Sequence, residues 1–445
     1  MIRRSTRTTR HTWTTVAAVF VLAALACAAS AEIQHVVLDD GLTLVVLPNP
    51  WSQAVALSVM VGAGSKYDPE GLEGLAQITN ELFFEGLGEI PWNEVYDELS
   101  AQGVDLKCLT SEDTAEIILT GHEARFDYIV DMAAAALSEP VFLIGRLEHE
   151  KKVALDSYEA EIADAWKYAY REVTALLYED HPYEDTPLGT PDGMDAVTIE
   201  DVEGFYERYY SPANTIVVAV GDLMPEPTLA RLESAFEQYD GSVDPPEPIP
   251  VTERTSQTVK KLYGGERPGF VQIGFAGPRP SETDDLAALS VLMAALGAGT
   301  ESRLYRMLDE SEDLIVSSAG AFASHRAEQA RLIVYAMGAS DSEAVNGMLE
   351  EIARIKTDPP DERELERAKE NVIASFALRM QRNAEKATSI ARDHFLGLPI
   401  DCCDTYIADI EAVTAEQLRA AAERYLVNPA IVLQRPGAAP TKRGI

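Results

Sequence analysis

Cysteine is scarce: the 445 residues hold four, and Cys27 lies in an apolar N-terminal run, leaving Cys108, Cys402 and Cys403. An odd number of thiols without any C-x-x-C pair excludes a disulfide-built scaffold, a zinc ribbon and a thioredoxin-type dithiol. Buried free thiols are the expectation, with one disulfide involving the adjacent Cys402 and Cys403 left open. Histidine is also sparse, and His35, His122, His149, His181, His325 and His394 form no H-x-x-x-H pair. No local stretch therefore assembles a histidine zinc site. Positive charge is short as well, with 37 Lys and Arg against 73 Asp and Glu and a formal charge of −36. Such a surface repels nucleic acid and anionic lipid, and it suits cationic partners or peptides. Past the N-terminus there is no run of roughly 18 apolar residues, so no stable membrane span is expected.

The N-terminus itself reads as an export signal. Arg3, Arg4, Arg7 and Arg10 form a basic head, Val16 to Ala29 is an apolar run of 14 residues, and Ala29-Ser30-Ala31 has the small-x-small cleavage pattern. The expected signal peptide is 1–31, with a mature chain starting at Glu32 and residing in the periplasm or outside the cell. That mature chain, with 33 basic and 73 acidic residues, carries −40. Its 46% hydrophobic and 25% charged content is that of a globular protein. Its length exceeds what one core normally serves, about 250–300 residues.

Two halves repeat one plan. Val197-Thr198-Ile199-Glu200-Asp201-Val202 leads to Glu207-Arg208-Tyr209, and Val413-Thr414-Ala415-Glu416-Gln417-Leu418 leads to Glu423-Arg424-Tyr425, at a constant offset of 216 residues. Each copy opens on a Thr-x-Glu helix start, continues as an amphipathic helix and ends in a proline-containing turn before an apolar strand. Between the copies, Pro245, Pro246, Pro248 and Pro250 rule out a continuous helix or central strand. The predicted division is an N-terminal domain over 32–238, a linker over 239–251 and a C-terminal domain over 252–445. Asp39-Asp40-Gly41 predicts a hairpin between Val36–Leu38 and Leu42–Leu47, and further strands are predicted over Ala54–Val61 and Phe270–Phe275. Helices are predicted over Leu72–Phe84, Trp92–Gln102, Phe126–Leu137, Leu147–Tyr178, Asp284–Leu296, Ser302–Asp309, Ser342–Ile355 and Asp361–Phe395. Strands followed by helices predict an α+β fold with helices over one face of each sheet.

An ordered series of segments then carries a family resemblance. Leu38-Asp39-Asp40-Gly41-Leu42-Thr43, Val61-Gly62-Ala63-Gly64-Ser65, Gly74-Leu75-Ala76 and Phe84-Glu85-Gly86 come first. Ser211-Pro212-Ala213-Asn214 with Gly221-Asp222, and Gly299-Thr300-Glu301-Ser302-Arg303-Leu304, follow. Over nearly all of residues 34–435 the chain resembles the insulinase/pitrilysin family of zinc metalloendopeptidases and its processing-peptidase relatives. The resemblance implies two homologous α+β domains, each an antiparallel-rich sheet packed with helices, together forming half of a clamshell.

The family's chemistry rests on H-x-x-E-H, in which two histidines on one helix face bind zinc and the glutamate polarises the bound water. In register those positions are Gln77, Asn80 and Glu81 here. The family's third ligand, a later glutamate, falls on Ser157, with Asp156, Glu159 and Glu161 near enough for a slipped register. The family's substrate-binding Arg and Tyr fall on Asp309 and Val316, while Arg303 and Tyr305 match a packing segment. Gln77 is a poor zinc ligand, Asn80 cannot accept a proton, and Glu81 offers one oxygen. An ordinary polar helix face is the favoured reading of these three residues, so no cofactor is expected, zinc remaining open for an atypical site. The run Glu148 to Lys152 reads as a solvated helix face. Trp166, Tyr168, Tyr170, Tyr178 and Tyr183 read as helix-packing aromatics rather than a peptide-contacting patch, and Tyr206, Tyr209 and Tyr210 as one hydrophobic helix face. The resemblance with these losses implies a noncatalytic homologue, pairing with an active subunit of the family or with itself and enclosing peptides. An atypical zinc metalloendopeptidase and a free-standing peptide-binding scaffold are the alternatives.

Overall fold

A computed structural model describes residues 32–84, 92–241, 245–263, 269–309, 317–338 and 342–435. The expected signal peptide lies outside them. In the first half, β1 (Gln34–Val37), β2 (Thr43–Pro48) and β3 (Ala54–Val61) precede α1 (Leu75–Leu82) and α2 (Trp92–Gln102). Then come β4 (Asp105–Thr110), β5 (Ala115–His122), α3 (Phe126–Ser138), α4 (Ile144–Ala163), α5 (Ala165–Leu177), α6 (Pro191–Ala196), α7 (Ile199–Tyr209), β6 (Thr215–Gly221) and α8 (Pro225–Ala235). The second half runs β7 (Thr258–Tyr263), β8 (Phe270–Ala276), α9 (Leu286–Gly297), α10 (Arg303–Asp309), β9 (Ser318–Ser324) and β10 (Arg331–Met337). It ends with α11 (Ser342–Thr357), α12 (Glu362–Arg379), α13 (Asn383–Phe395), α14 (Cys402–Ala412), α15 (Ala415–Tyr425) and β11 (Ala430–Arg435).

The sheets repeat one topology. The first has the order β1-β2-β6-β3-β5-β4 and the second β7-β11-β8-β10-β9. In each, the last strand of the half enters the interior, parallel to the half's early strand and antiparallel to the next: β6 between β2 and β3, β11 between β7 and β8. The helices before those strands, α7 and α15, keep the offset of 216 residues, and each opens on a reciprocal capping box, Thr198 with Asp201 and Thr414 with Gln417. The predicted hairpin is present, with Gln34 opposite Val46 and Val37 opposite Thr43.

Two helices predicted as continuous are broken, and the breaks organise the molecule. Asp164 ends α4 and starts α5, its Oδ1 accepting from Lys167 N at 2.9 Å. Met380 to Arg382 separate α12 from α13. Each freed helix crosses to the other half's sheet. On α5, Ala169, Val173 and Leu177 pack with Phe270, Ile333, Ala430 and Val432 of the second sheet. On α13, Ala387, Ile390 and Ala391 pack with Val45, Met60, Ile216, Val218 and Val220 of the first.

The expectation of one covered sheet face is thereby corrected: both faces are covered. Alternation along the strands sorts the side chains accordingly. Val217 and Ala219 join the core formed with α1, α3 and α7, while Ile216, Val218 and Val220 meet α13. All seven residues of β6 are buried, which is why that strand reads as an uninterrupted apolar run.

Ionic contacts reinforce the exchange. Lys66 Nζ donates to Asp113 at 2.9 Å and to Glu328 at 3.1 Å. Tyr183 OH donates to Asp113 at 2.5 Å and accepts from Glu328 N at 3.1 Å. Glu112 pairs with Arg331 at 2.8 Å and Arg326 at 2.6 Å. The turn between β4 and β5, the segment after α5 and the β9–β10 hairpin thus meet in buried ion pairs and hydrogen bonds.

Candidate functional site

The motif positions lie on α1. The carboxylate of Asp68 sets the start of this helix by accepting from Gly74 N at 2.7 Å and Ala76 N at 2.8 Å. Burial pushes the Asp68 carboxyl up to about 7, against the pull of those two donors, with Glu73 and Asp185 adding negative charge. Gly74, at φ +109°, takes the left-handed conformation that lets the chain turn into the helix.

Asn80 is 1% exposed and faces β4 and β5. Its Nδ2 donates to Leu109 O at 3.0 Å, Thr110 Oγ1 at 3.1 Å and Glu116 O at 3.4 Å. A carboxylate directed along the same path would meet two carbonyl oxygens, so the amide serves here as a tie between helix and sheet edge. One turn away, Gln77 Nε2 donates to Glu81 Oε1 at 2.9 Å, and both side chains are half-buried. The single carboxylate of the motif is thus already engaged by its own helix.

α4 packs against α1, and at the register of the family's third ligand its side chains are exposed or paired. Ser157 is exposed, as are Asp156 and Glu159. Glu161 accepts from Arg171 at 3.4 Å and Thr186 at 3.4 Å. The buried carboxylate of α4 is Glu150, 3.5 Å from Arg146, which corrects the reading of 148–152 as a wholly solvated face. Leu147, Glu150 and Ala154 form one buried stripe at helical spacing, a signal present in the sequence but masked by the charges around it.

Asp309 is the last residue of α10, and Val316 lies outside the described residues. Arg303 has a structural role, donating to both oxygens of Glu364 at 2.6 and 3.0 Å and to Asp358 O at 2.9 Å. The aromatics predicted to pack do so: Trp166 lies against Phe270 and Tyr335, while Tyr178 and Tyr183 are buried in the seam between α5 and the second sheet.

These side chains do not fit zinc. They offer two amides, one hydrogen-bonded carboxylate and an exposed hydroxyl, where zinc takes imidazole, thiolate and free carboxylate. Among the described residues, the group whose ligand atoms converge as a metal requires lies elsewhere: Asp393, Cys402 and Cys403. Their sequence positions, an acid nine residues before a cysteine pair, carried that signal unread. Among the described residues Cys108, Cys402 and Cys403 form no disulfide, and they are half-buried rather than fully buried.

Comparison with known proteins gives a consistent picture. The profile of Insulinase (Peptidase family M16) matches residues 44–191, and that of the Peptidase M16 inactive domain matches 196–372. A Helicobacter pylori protein named a non-peptidase homolog, YmxG, is 23% identical, the match covering 80% of this chain and 82% of that protein. The zinc protease PqqE of the same organism is 22% identical over 80% of this chain and 81% of its own length. The crystal structure of a protease from Helicobacter pylori superimposes with a TM-score of 0.84 at 20% identity, covering 91% of this chain and all of that one.

Proposed function

The chain belongs to the insulinase family of M16 peptidases, and we propose that within it this is a noncatalytic subunit that pairs with an active zinc-peptidase relative and helps enclose its peptide substrate. Asn80 is the observation that carries the reading. The position where the family holds its general base bears an amide committed to three acceptors on the sheet. A general base contributes ~10²–10⁴-fold to a reaction it serves, and an amide cannot supply it. An atypical zinc endopeptidase would need that base as well as ligands.

Two repeats make half of the family's chamber, so a second two-repeat chain is needed to close it. Paired with itself, this chain would enclose a peptide without cutting it; paired with an active relative, it adds walls and a negative field. Helicobacter pylori carries relatives named as each kind, a non-peptidase homolog and a zinc protease. The charge of −36 over the full sequence favours cationic peptides and a less acidic partner, an attraction that salt weakens. We place the pair outside the cytoplasm, after cleavage between Ala31 and Glu32.

The test is reconstitution with an H-x-x-E-H relative encoded in the same genome. The expected result is co-purification from native extracellular or periplasmic material, and a change in the relative's peptide turnover or selectivity on mixing. A chain that stays monomeric at micromolar concentration and binds no such relative would overturn the proposal.

A further inference from the structure

α13 and α14 are joined by a short, well-fastened loop. Leu398 N donates to Asp393 O at 2.9 Å, Gly397 N to His394 O at 3.0 Å and Cys402 N to Pro399 O at 3.1 Å, with Gly397 at φ +71° making the turn. The loop brings the first two residues of α14, Cys402 and Cys403, onto the buried carboxylate of Asp393 near the end of α13. Asp393 Oδ2 accepts from Cys402 Sγ at 3.1 Å and from Cys403 Sγ at 3.6 Å. One ligand atom from each of the three residues lies within 4.8 Å of the other two.

We propose that Asp393, Cys402 and Cys403 form a binding site for a thiophilic divalent cation of the zinc and cadmium type, separate from the α1 motif positions. The spacing fits. A sulfur and an oxygen on one tetrahedral zinc, with bonds of about 2.3 and 2.0 Å, sit about 3.5 Å apart. The two sulfur–oxygen distances bracket that value before any ion is present. Two thiolates also select soft or borderline cations over magnesium and calcium.

The surroundings fit as well. Asp393 Oδ1 lies 3.9 Å from Arg392 Nε, so one carboxylate oxygen has a cationic neighbour and the other faces the sulfurs. Both cysteines lie in the first turn of a helix of 11 residues. All three side chains line a cavity of about 950 Å³ in the second half, and no residue of α1 lines it. Three protein ligands leave a fourth position for water or another small ligand from that cavity. The exchange balances: a divalent cation displaces one proton from each thiol, both protons leave to solvent, and the resulting centre of two thiolates and one carboxylate carries a single negative charge beside Arg392.

The experiment uses the full chain, reduced and stripped with chelator, then titrated with Zn²⁺ or Cd²⁺. The expected result is one cation per chain, a sulfur-to-cadmium absorption band, and loss of two reactive thiols on saturation while Cys108 keeps its reactivity. Cys402→Ser with Cys403→Ser should abolish the band. Asp393→Asn should weaken binding on the order of tenfold or more, and Glu81→Ala should leave it unchanged. An unchanged reactive-thiol count in saturated wild-type protein, which needs no variant to fold, would overturn the proposal. So would cation binding that survives the double serine change or disappears in Glu81→Ala.

Discussion

At the scale of single residues, Asn80 shows how a position can keep its structural function without the family's chemistry. Its amide holds α1 against β4 and β5 from inside the core. Asn80→Ala should therefore cost about 1–3 kcal/mol of stability, for lost bonds to buried acceptors, read as a lower urea midpoint. The chain's own peptide hydrolysis, expected to be nil, should not change. Turnover by homogeneous protein that Asn80→Ala abolishes would contradict the structural assignment. That Gln77, Asn80 and Glu81 share one helix was legible from sequence, because the apolar residues between and around them keep helical spacing. Ser157 and Glu150 were not so legible. On a long polar helix, one residue of register decides between burial and exposure, and only the packed helix pair shows that Glu150 points inward.

Among elements, the decisive feature is the carboxylate that joins them. Glu112, on the turn between β4 and β5, is buried with Arg331 of β10 and Arg326. Burial alone would raise its carboxyl, but the two guanidinium groups outweigh this and hold it down at about 2, from an ordinary 4.5. A carboxyl depressed in the folded state contributes stability that is fully present above pH 4.5 and is lost as pH falls through about 2. That term is on the order of 3 kcal/mol. Urea midpoints taken between neutral pH and pH 2 should fall more steeply for wild type than for Glu112→Gln. At neutral pH the variant should lose about 3–5 kcal/mol, since it strands buried positive charge. Parallel curves, or a neutral-pH loss below about 1 kcal/mol, would show that solvent already screens the pair. The elements themselves were largely legible: capping boxes and the Asp-Gly turn are local chemistry. The break at Asp164 was missed because an aspartate in a polar helical run looks like one more exposed charge until its side chain caps the next helix.

For the molecule as a whole, the exchange of α5 and α13 means that neither half owns its full core. Alone, the first half would expose Ile216, Val218 and Val220, and the second Phe270, Ile333 and Val432. Residues 32–241 and 252–435 expressed separately should be unfolded or aggregated, whereas co-expression should yield a soluble complex. Two halves that each unfold cooperatively on their own would refute this. The proline-rich stretch visible in sequence gave no sign that α5 and α13 pack on the other half's sheet. Those contacts join distant parts of the chain, α5 at Ala165–Leu177 with strands that begin at Phe270 and α13 at Asn383–Phe395 with strands that end at Gly221.

The placement of β11 has a temporal consequence. The last of the described strands, Ala430–Arg435, is not an edge strand but is hydrogen-bonded on both sides, to β7 and β8. Until it arrives, β7 has no neighbour in the sheet and the face awaiting α5 is interrupted. The second half must therefore remain incomplete until residues 430–435 have been synthesised, and it closes by insertion rather than by growth at a margin. Removing residues 430–445 should accordingly abolish protease resistance across the second half instead of trimming it. A truncated chain whose residues 252–429 stay resistant would show that the sheet can close without its final strand.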